Sequence, residues 1–286
     1  MALFKKEKKV LEPQYYTSAT NIPTYNYRVY YMTTIEKVGY FLLAFVVGAL
    51  VGYLFYGGIG KNEFGQPTAL TWILNITIST IVGIVAGLLF VPMRRKAIID
   101  KKRISLNRQF RDMLEAFNTS LGAGKNVNDS FFSVYEDLKI QYPEDAFILK
   151  ELEVVISAIH NNVAIETVLD DLGDRSGNDD IKSFANVFKI CYHKGGNIKD
   201  VIRNTREILS DKMEISEDIE TLVTSNKLEQ NIMTVMPVAL IGLIKMTSPD
   251  FAANFVSPAG ILSTTIGIVI FIVAYFIGKA VLDIKM

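Results

Sequence analysis

The stretch ALTWILNITISTIVGIVAGLLFVPMRRKAIIDKKR, residues 69–103, changes character at a single point. Ala69 to Val91 carries no charge over 23 residues, and the next segment, residues 92–103, carries six Lys or Arg. At about 1.5 Å per helical residue the uncharged part can cross a hydrocarbon core about 30 Å thick. Lys and Arg crowded at the end of such a span mark the cytoplasmic side. This stretch therefore predicts a membrane protein and sets its orientation.

Three further segments complete the pattern. Val38 to Tyr56 is uncharged over 19 residues. Ile261 to Gly278 is again uncharged, and its apolar pattern continues across Lys279 to Val281. Ile232 to Thr247 is weaker, with Pro237 inside it and Lys245 near its end. A short loop and a strong span follow it, so it reads as the first arm of a second hairpin. Lys245 is then expected to snorkel toward the headgroups, because a mid-membrane Lys costs roughly 2.5–3.5 kcal/mol. Residues 1–37 carry six Lys or Arg, the loop 57–68 carries one (Lys61), and the loop 248–260 carries none. Both termini and the long middle segment are thus predicted to be cytoplasmic. The basic start, MALFKKEKKV, precedes an apolar run too long and too distant for a signal peptide, which predicts an uncleaved anchor.

The middle segment is polar, and its apolar residues recur at helical spacing. Leu106, Phe110, Met113, Leu114, Phe117 and Leu121 form one stripe; Phe131, Val134 and Leu138 form a second. Phe147, Ile148, Leu152, Val155, Ile156 and Ile159 form a third, and Ile165, Val168, Leu169 and Leu172 a fourth. Ile181, Phe184, Phe188 and Cys191 form a fifth; Ile198, Val201, Ile202, Ile208 and Leu209 begin a sixth. The sixth meets no Gly or Pro until Pro237, so it can continue toward the third span. About six amphipathic helices on short connections predict an antiparallel bundle.

The fold class expected is all-α: four transmembrane helices in two hairpins flanking a cytoplasmic helical bundle. The divisions are a cytoplasmic N-terminal segment (1–37), a hairpin (38–91), the helical domain (92–230), a second hairpin (231–281) and a cytoplasmic tail (282–286).

Several chemistries are excluded or disfavoured. Thirty basic and 30 acidic residues cancel, so net charge points to no partner. A single Cys, Cys191, rules out an intrachain disulfide or a four-Cys metal site. His160 and His193 are far apart, and His193 stands two residues from Cys191, where helical spacing sends them to different sides. The stretch GAGK, residues 122–125, looks like part of a phosphate-binding loop. It has Thr119 where that motif needs Gly, and Asn126 where it needs Ser or Thr. Gly122 and Gly124 are instead expected to end a helix, with Asn126 or Asn128 capping the next. No cofactor, metal or catalytic constellation is expected.

Charge within the middle block is uneven. Residues 92–111 hold eight basic residues and one acidic, which suits anionic lipid headgroups. Residues 112–230 hold 12 basic and 23 acidic, which suits a basic protein partner and disfavours nucleic acid. The densest acidic group is Asp170, Asp171, Asp174, Asp179 and Asp180 in LDDLGDRSGNDDIK. It reads as helix capping around a solvated turn, as a docking patch for a basic surface, or as an oxygen-ligand cation site, though its spacing fits no EF-hand loop. Pro237 and Gly242 read as a kink with close helix contact, or as ordinary tolerance of both residues within a span. The Tyr-rich stretch 15–31, YYTSATNIPTYNYRVYY, reads as an interfacial segment or a disordered tail.

RQFRDMLEAFNTSLGAGKNVNDSF, residues 108–131, resembles the first half of the type II secretion system F domain, a helix ending in a Gly-containing turn before a second helix. HKGGNIKDVIRNTREILSDKMEI, residues 193–215, resembles its closing half, with Gly195 and Gly196 in the turn. Residues 236–286, with Pro237, the Pro249-Asp250 corner, Pro258, Gly260 and a late Lys, resemble the terminal hairpin of Tad/Flp pilus platform proteins of the TadB or TadC kind. The resemblance implies a non-enzymatic platform in the cytoplasmic (inner) membrane. Its implied partners are a hexameric secretion-type motor ATPase, pilin subunits, and either a related platform chain or further copies of itself. A small transporter or channel subunit is the competing expectation; it would need ionisable residues deep in the spans.

Overall fold

The computed structural model of the protein describes residues 12–60, 66–194 and 197–282. Lys5, Lys6, Lys8, Lys9, Lys61, Gly195 and Gly196 lie outside the described residues. Among the described residues the chain is all-α apart from one short hairpin. The strands β1 (Tyr15–Thr17) and β2 (Pro23–Tyr25) precede the helices α1 (Thr34–Tyr56), α2 (Ala69–Gly122), α3 (Val127–Gln141), α4 (Phe147–His160) and α5 (Ile165–Ser176). The helices α6 (Asp179–Lys194), α7 (Ile198–Thr247), α8 (Pro249–Phe255) and α9 (Pro258–Leu282) follow. Four of them, α1, α2, α7 and α9, contain segments long and apolar enough to cross a membrane.

The described residues fall into two compact units, one from 1–31 and 95–213, the other from 32–94 and 214–286. The first is polar outside and has one apolar core. Leu106, Phe110, Leu114 and Phe117 of α2 are buried in it with Phe131, Val134 and Leu138 of α3. Ile148, Leu152 and Val155 of α4, Val168, Leu169 and Leu172 of α5, and Ile181, Phe184 and Phe188 of α6 complete most of the rest, with Ile202 and Leu209 of α7. These are largely the expected stripes, because helical periodicity reports the buried face directly. Ile208 departs from its stripe and is exposed, and Cys191 is only half-buried.

The turn between α2 and α3 is made by Gly124 alone of the two glycines. Gly124 takes φ of 86°, while Gly122 remains the last helical residue. The Gly124 amide donates to Leu121 O at 3.1 Å and the Lys125 amide to Ser120 O at 3.3 Å, which is a Schellman closure of the helix. Asn126 then caps α3, its side chain accepting from the Asp129 amide at 2.8 Å. Asn162, at φ of 52°, closes α4 in the same way: its neighbour Val163 donates to Ala158 O at 2.8 Å.

The Tyr-rich stretch corrects the sequence reading. It is not a disordered tail: β1 and β2 pair antiparallel, and Tyr27 just after them is buried in the helical core. Tyr25 and Tyr27 stack with Phe147 of α4, ring centroids 6.2 and 5.4 Å away. Strands of three residues are too short for alternation to reveal; Tyr25 and Tyr27 spend their rings on this contact, while Tyr15, Tyr16 and Tyr31 stay exposed.

In the second unit, α1 meets the beginning of α2 through small residues. Gly48 faces Ala86 and Gly83, Gly52 faces Val82 and Ser79, and the rings of Phe45 and Phe41 cover Gly83 and Gly87. A Cβ on Gly48 would stand 2.7 Å from the Ala86 Cβ, so the helices approach too closely for any larger side chain. The remaining faces of these helices expose Leu42, Val46, Leu50, Ile73, Leu88 and Leu89, an apolar surface that hydrocarbon would accept and water would not.

Lys245 meets the end of α1. Its Nζ donates to Leu54 O at 2.7 Å and Phe55 O at 3.2 Å, the open carbonyls at the end of α1, and lies 5.0 Å from the Phe255 ring centroid. A cation suits the negative end of the α1 dipole, and those carbonyls otherwise lack intrahelical donors.

Candidate functional site

The acidic group lies on the first unit, across the turn between α5 and α6. Asp170 and Asp174 are one helical turn apart on α5, so they present to the same side. Lys182 of α6 bridges them: its Nζ is 2.5 Å from Asp170 Oδ1 and 2.8 Å from Asp174 Oδ1. Lys189 adds a longer contact to Asp170, at 3.6 Å. Lys182 donating to Asp170 holds that carboxyl below the usual range against the opposing effect of burial, and the same hydrogen bond raises the lysine. Asp180 is met by Lys212 of α7 at 2.5 Å. Asp179 and Asp180 open α6, where the helix dipole favours negative charge.

Four of the five aspartates are therefore engaged by cations of the same chain, since Asp171 accepts from Arg175 Nε at 2.6 Å. The group is a partly neutralised acidic face rather than a bare acidic patch. Among the described residues no cluster of three or more His, Cys, Asp or Glu is placed to hold a metal ion.

Beneath this surface is a buried ion pair that sequence reading did not find. Arg175 NH1 and NH2 meet Glu151 Oε1 and Oε2 at 2.9 and 2.7 Å, with both side chains almost wholly excluded from solvent. The Tyr27 hydroxyl donates to Glu151 Oε1 at 2.8 Å, and Arg175 NH1 also donates to the Tyr25 carbonyl at 2.7 Å. The Tyr27 amide returns a bond to the Arg175 carbonyl at 3.0 Å, and Arg103 Nε reaches the Tyr27 carbonyl at 3.3 Å. Burial works against the charged guanidinium, yet Glu151 and Asp171 outweigh it and hold Arg175 above its usual value. Burial first, and then the Glu151 charge, push the Tyr27 phenol well up.

One guanidinium thus ties α4, α5 and the N-terminal hairpin together, and its Nε reaches Asp171 on the acidic face. Gly177 ends α5 directly behind it at φ of 63°, packed against Arg103 and Arg28. The left-handed backbone there favours Gly, and a Cβ would also come within 2.7 Å of Arg103 NH2 and make that side chain shift.

The remaining candidates are not gathered here. His193 Nε2 is 2.8 Å from Glu166 Oε1, and His160 lies 5.3 Å, ring to ring, from Phe132. Pro237 and Pro249 belong to the second unit. Pro249 opens α8 behind Ser248, whose hydroxyl accepts from the Phe251 amide at 3.4 Å. Pro237 lies within α7, which continues through it, and lines an apolar groove of about 650 Å³ with Ile241, Val82, Gly267 and Phe271. Gly242 faces Leu54 of α1.

The signal for the buried pair was present in the helical spacing. Glu151 falls three residues after Ile148 and four before Val155, and Arg175 three after Leu172, so both occupy apolar-face positions. An acid and a base on two such faces are candidates to pair, though spacing alone does not say with which partner. Compared with protein-family models, with curated proteins and with solved structures, the chain matches none.

Proposed function

We propose that this chain is a membrane platform of a Tad-pilus or type II secretion-like machine. In this reading its four apolar helices form two transmembrane hairpins around a cytoplasmic antiparallel helical bundle, with both termini in the cytoplasm. A motor ATPase docks on the acidic face of α5 and α6. Its motion passes through α7 to the membrane hairpins, where pilin subunits move from the bilayer into a filament. The chain works as a homo-oligomer or beside a related platform chain, and catalyses no reaction itself.

The observation that carries the reading is α7. It is one helix of 50 residues, about 75 Å long, that supplies Ile202 and Leu209 to the apolar core of the first unit and the Pro237 segment to the second unit. The order of elements supports it too, with two apolar helical segments on either side of the polar helices. The groove beside Pro237 offers an apolar surface of the kind a pilin's membrane segment would need.

Deletion of the gene in the source cell tests this. Loss of surface filaments or of a secreted substrate, restored by the wild-type chain, is the expected result. Filaments and secretion at normal levels without the chain would contradict it.

A further inference from the structure

At the basic end of α1 and of the apolar part of α2 there is a second groove, of about 340 Å³, distinct from the one beside Pro237. Val38 and Phe41 of α1 line it with Gly87, Leu88, Val91 and Pro92 of α2, and Lys37 stands at its edge. The walls are hydrocarbon and the rim is cationic. Gly87 makes room for the Phe41 ring, which a Cβ would meet at 2.5 Å. Pro92 has no amide to donate, so the Leu88 carbonyl loses its helical partner beside the same groove.

Two features place a headgroup at the rim. Arg94, two residues after Pro92, is exposed and lies over the Tyr40 ring at 5.5 Å from its centroid. That stacking orients the guanidinium without neutralising it, leaving its donors to a planar or tetrahedral oxyanion. Tyr40 itself is the residue type that favours headgroup depth. Lys37 precedes Tyr40 by one helical turn and is also exposed.

We infer that this groove binds one phospholipid with an anionic headgroup, an acyl chain along Phe41, Leu88 and Val91 and the phosphate between Lys37 and Arg94. The inference rests on the membrane-spanning reading of α1 and α2. The occupant follows from the match of an apolar channel to a cationic mouth at the end of a span. A protein segment would have to bring its own acid to this depth, whereas an anionic lipid supplies chain and charge in one molecule. The lipid would bridge the two helices at the end where Gly87 and Phe41 already hold them close, and so brace the first hairpin.

The test is native mass spectrometry of the full chain released from bilayers made of equal parts phosphatidylcholine and phosphatidylglycerol. Wild-type protein should retain phosphatidylglycerol over phosphatidylcholine by on the order of tenfold. The double substitution Lys37→Gln with Arg94→Gln should bring retention near parity, while Lys150→Gln, a cation on α4, should leave it unchanged. The preference should also weaken as salt is raised. Resistance to alkaline carbonate extraction is measured on the same samples. An inserted chain that retains both lipids equally, or a double variant that keeps the preference, overturns the lipid site alone. A chain released by carbonate overturns the site together with the membrane reading.

Discussion

Arg175 and Glu151 are joined by two parallel hydrogen bonds, 2.9 and 2.7 Å long, in the dry interior between α5 and α4. A bidentate guanidinium–carboxylate pair of this kind is geometrically selective as well as strong. The guanidinium's two remaining contacts, to Tyr25 O and to Asp171, reach the N-terminal hairpin on one side and the acidic face on the other. The pair therefore sets the register of three elements at once.

Removing one partner leaves the other charge buried. Glu151→Ala should destabilise the polar unit by about 3–5 kcal/mol, read from denaturant unfolding. The double substitution Glu151→Leu with Arg175→Met should cost less than Glu151→Ala alone. Losses that simply add would show that the two side chains do not act as a pair.

Glu151 also explains why the hairpin was not legible in the sequence. Periodicity exposed the stripes from Leu106 to Leu209 because each helix carries several apolar repeats, and it exposed the Ser120–Lys125 turn because Gly and Asn punctuate it. Tyr27 belongs to no repeat. Its burial is decided by a contact 124 residues away, to Glu151, and local pattern carries no such information. The acidic face was legible as composition only: that Lys182 and Lys212 neutralise much of it depends on how α5, α6 and α7 pack. The partners of Lys245 were hidden for the same reason, since they are backbone carbonyls of α1.

Tyr142 gives a prediction in pH. Burial, and then its hydrogen bond to Asp112, push this phenol from 10.0 to about 12. The folded value is raised, so the corresponding stability is fully present below about pH 10 and is lost as pH rises through about 12. A phenolate absorbance titration should lose one phenol titrating near that upper value in Tyr142→Phe. A titration unchanged by that substitution would contradict the assignment.

Asp170 gives the opposite sign. Its carboxyl is lowered by Lys182, so its contribution is present above the ordinary carboxylate value of about 3.9 and is lost as pH falls through the lower folded value. The carboxylate is partly exposed, so the effect is below about 1 kcal/mol. The larger consequence concerns docking. Lys182→Gln frees Asp174, leaves Asp170 with only its longer contact to Lys189, and should tighten association with a basic motor surface several-fold in a pull-down. Replacing Asp170, Asp171, Asp174, Asp179 and Asp180 by Asn should weaken it, most at low salt. Association unmoved by either change would remove the acidic face from the account.

Continuity of α7 is the other element that can be broken on purpose. A flexible Gly-Ser insertion at Ser225, between Leu209 of the polar core and Pro237, should abolish filament assembly while the chain remains membrane-inserted and abundant. A neutral Ala insertion of equal length keeps the helix and should reduce assembly less. Normal filaments from the Gly-Ser variant would show that the helix does not transmit the motion.

The most direct measurement is extraction of the tagged chain from its native membranes in mild detergent, with mass spectrometry of the proteins that accompany it. Recovery of a secretion-type ATPase, with a second platform chain or small pilins, is the predicted result. A clean homo-oligomer without any of them, under conditions where a known membrane complex survives extraction, would contradict the assembly-platform account.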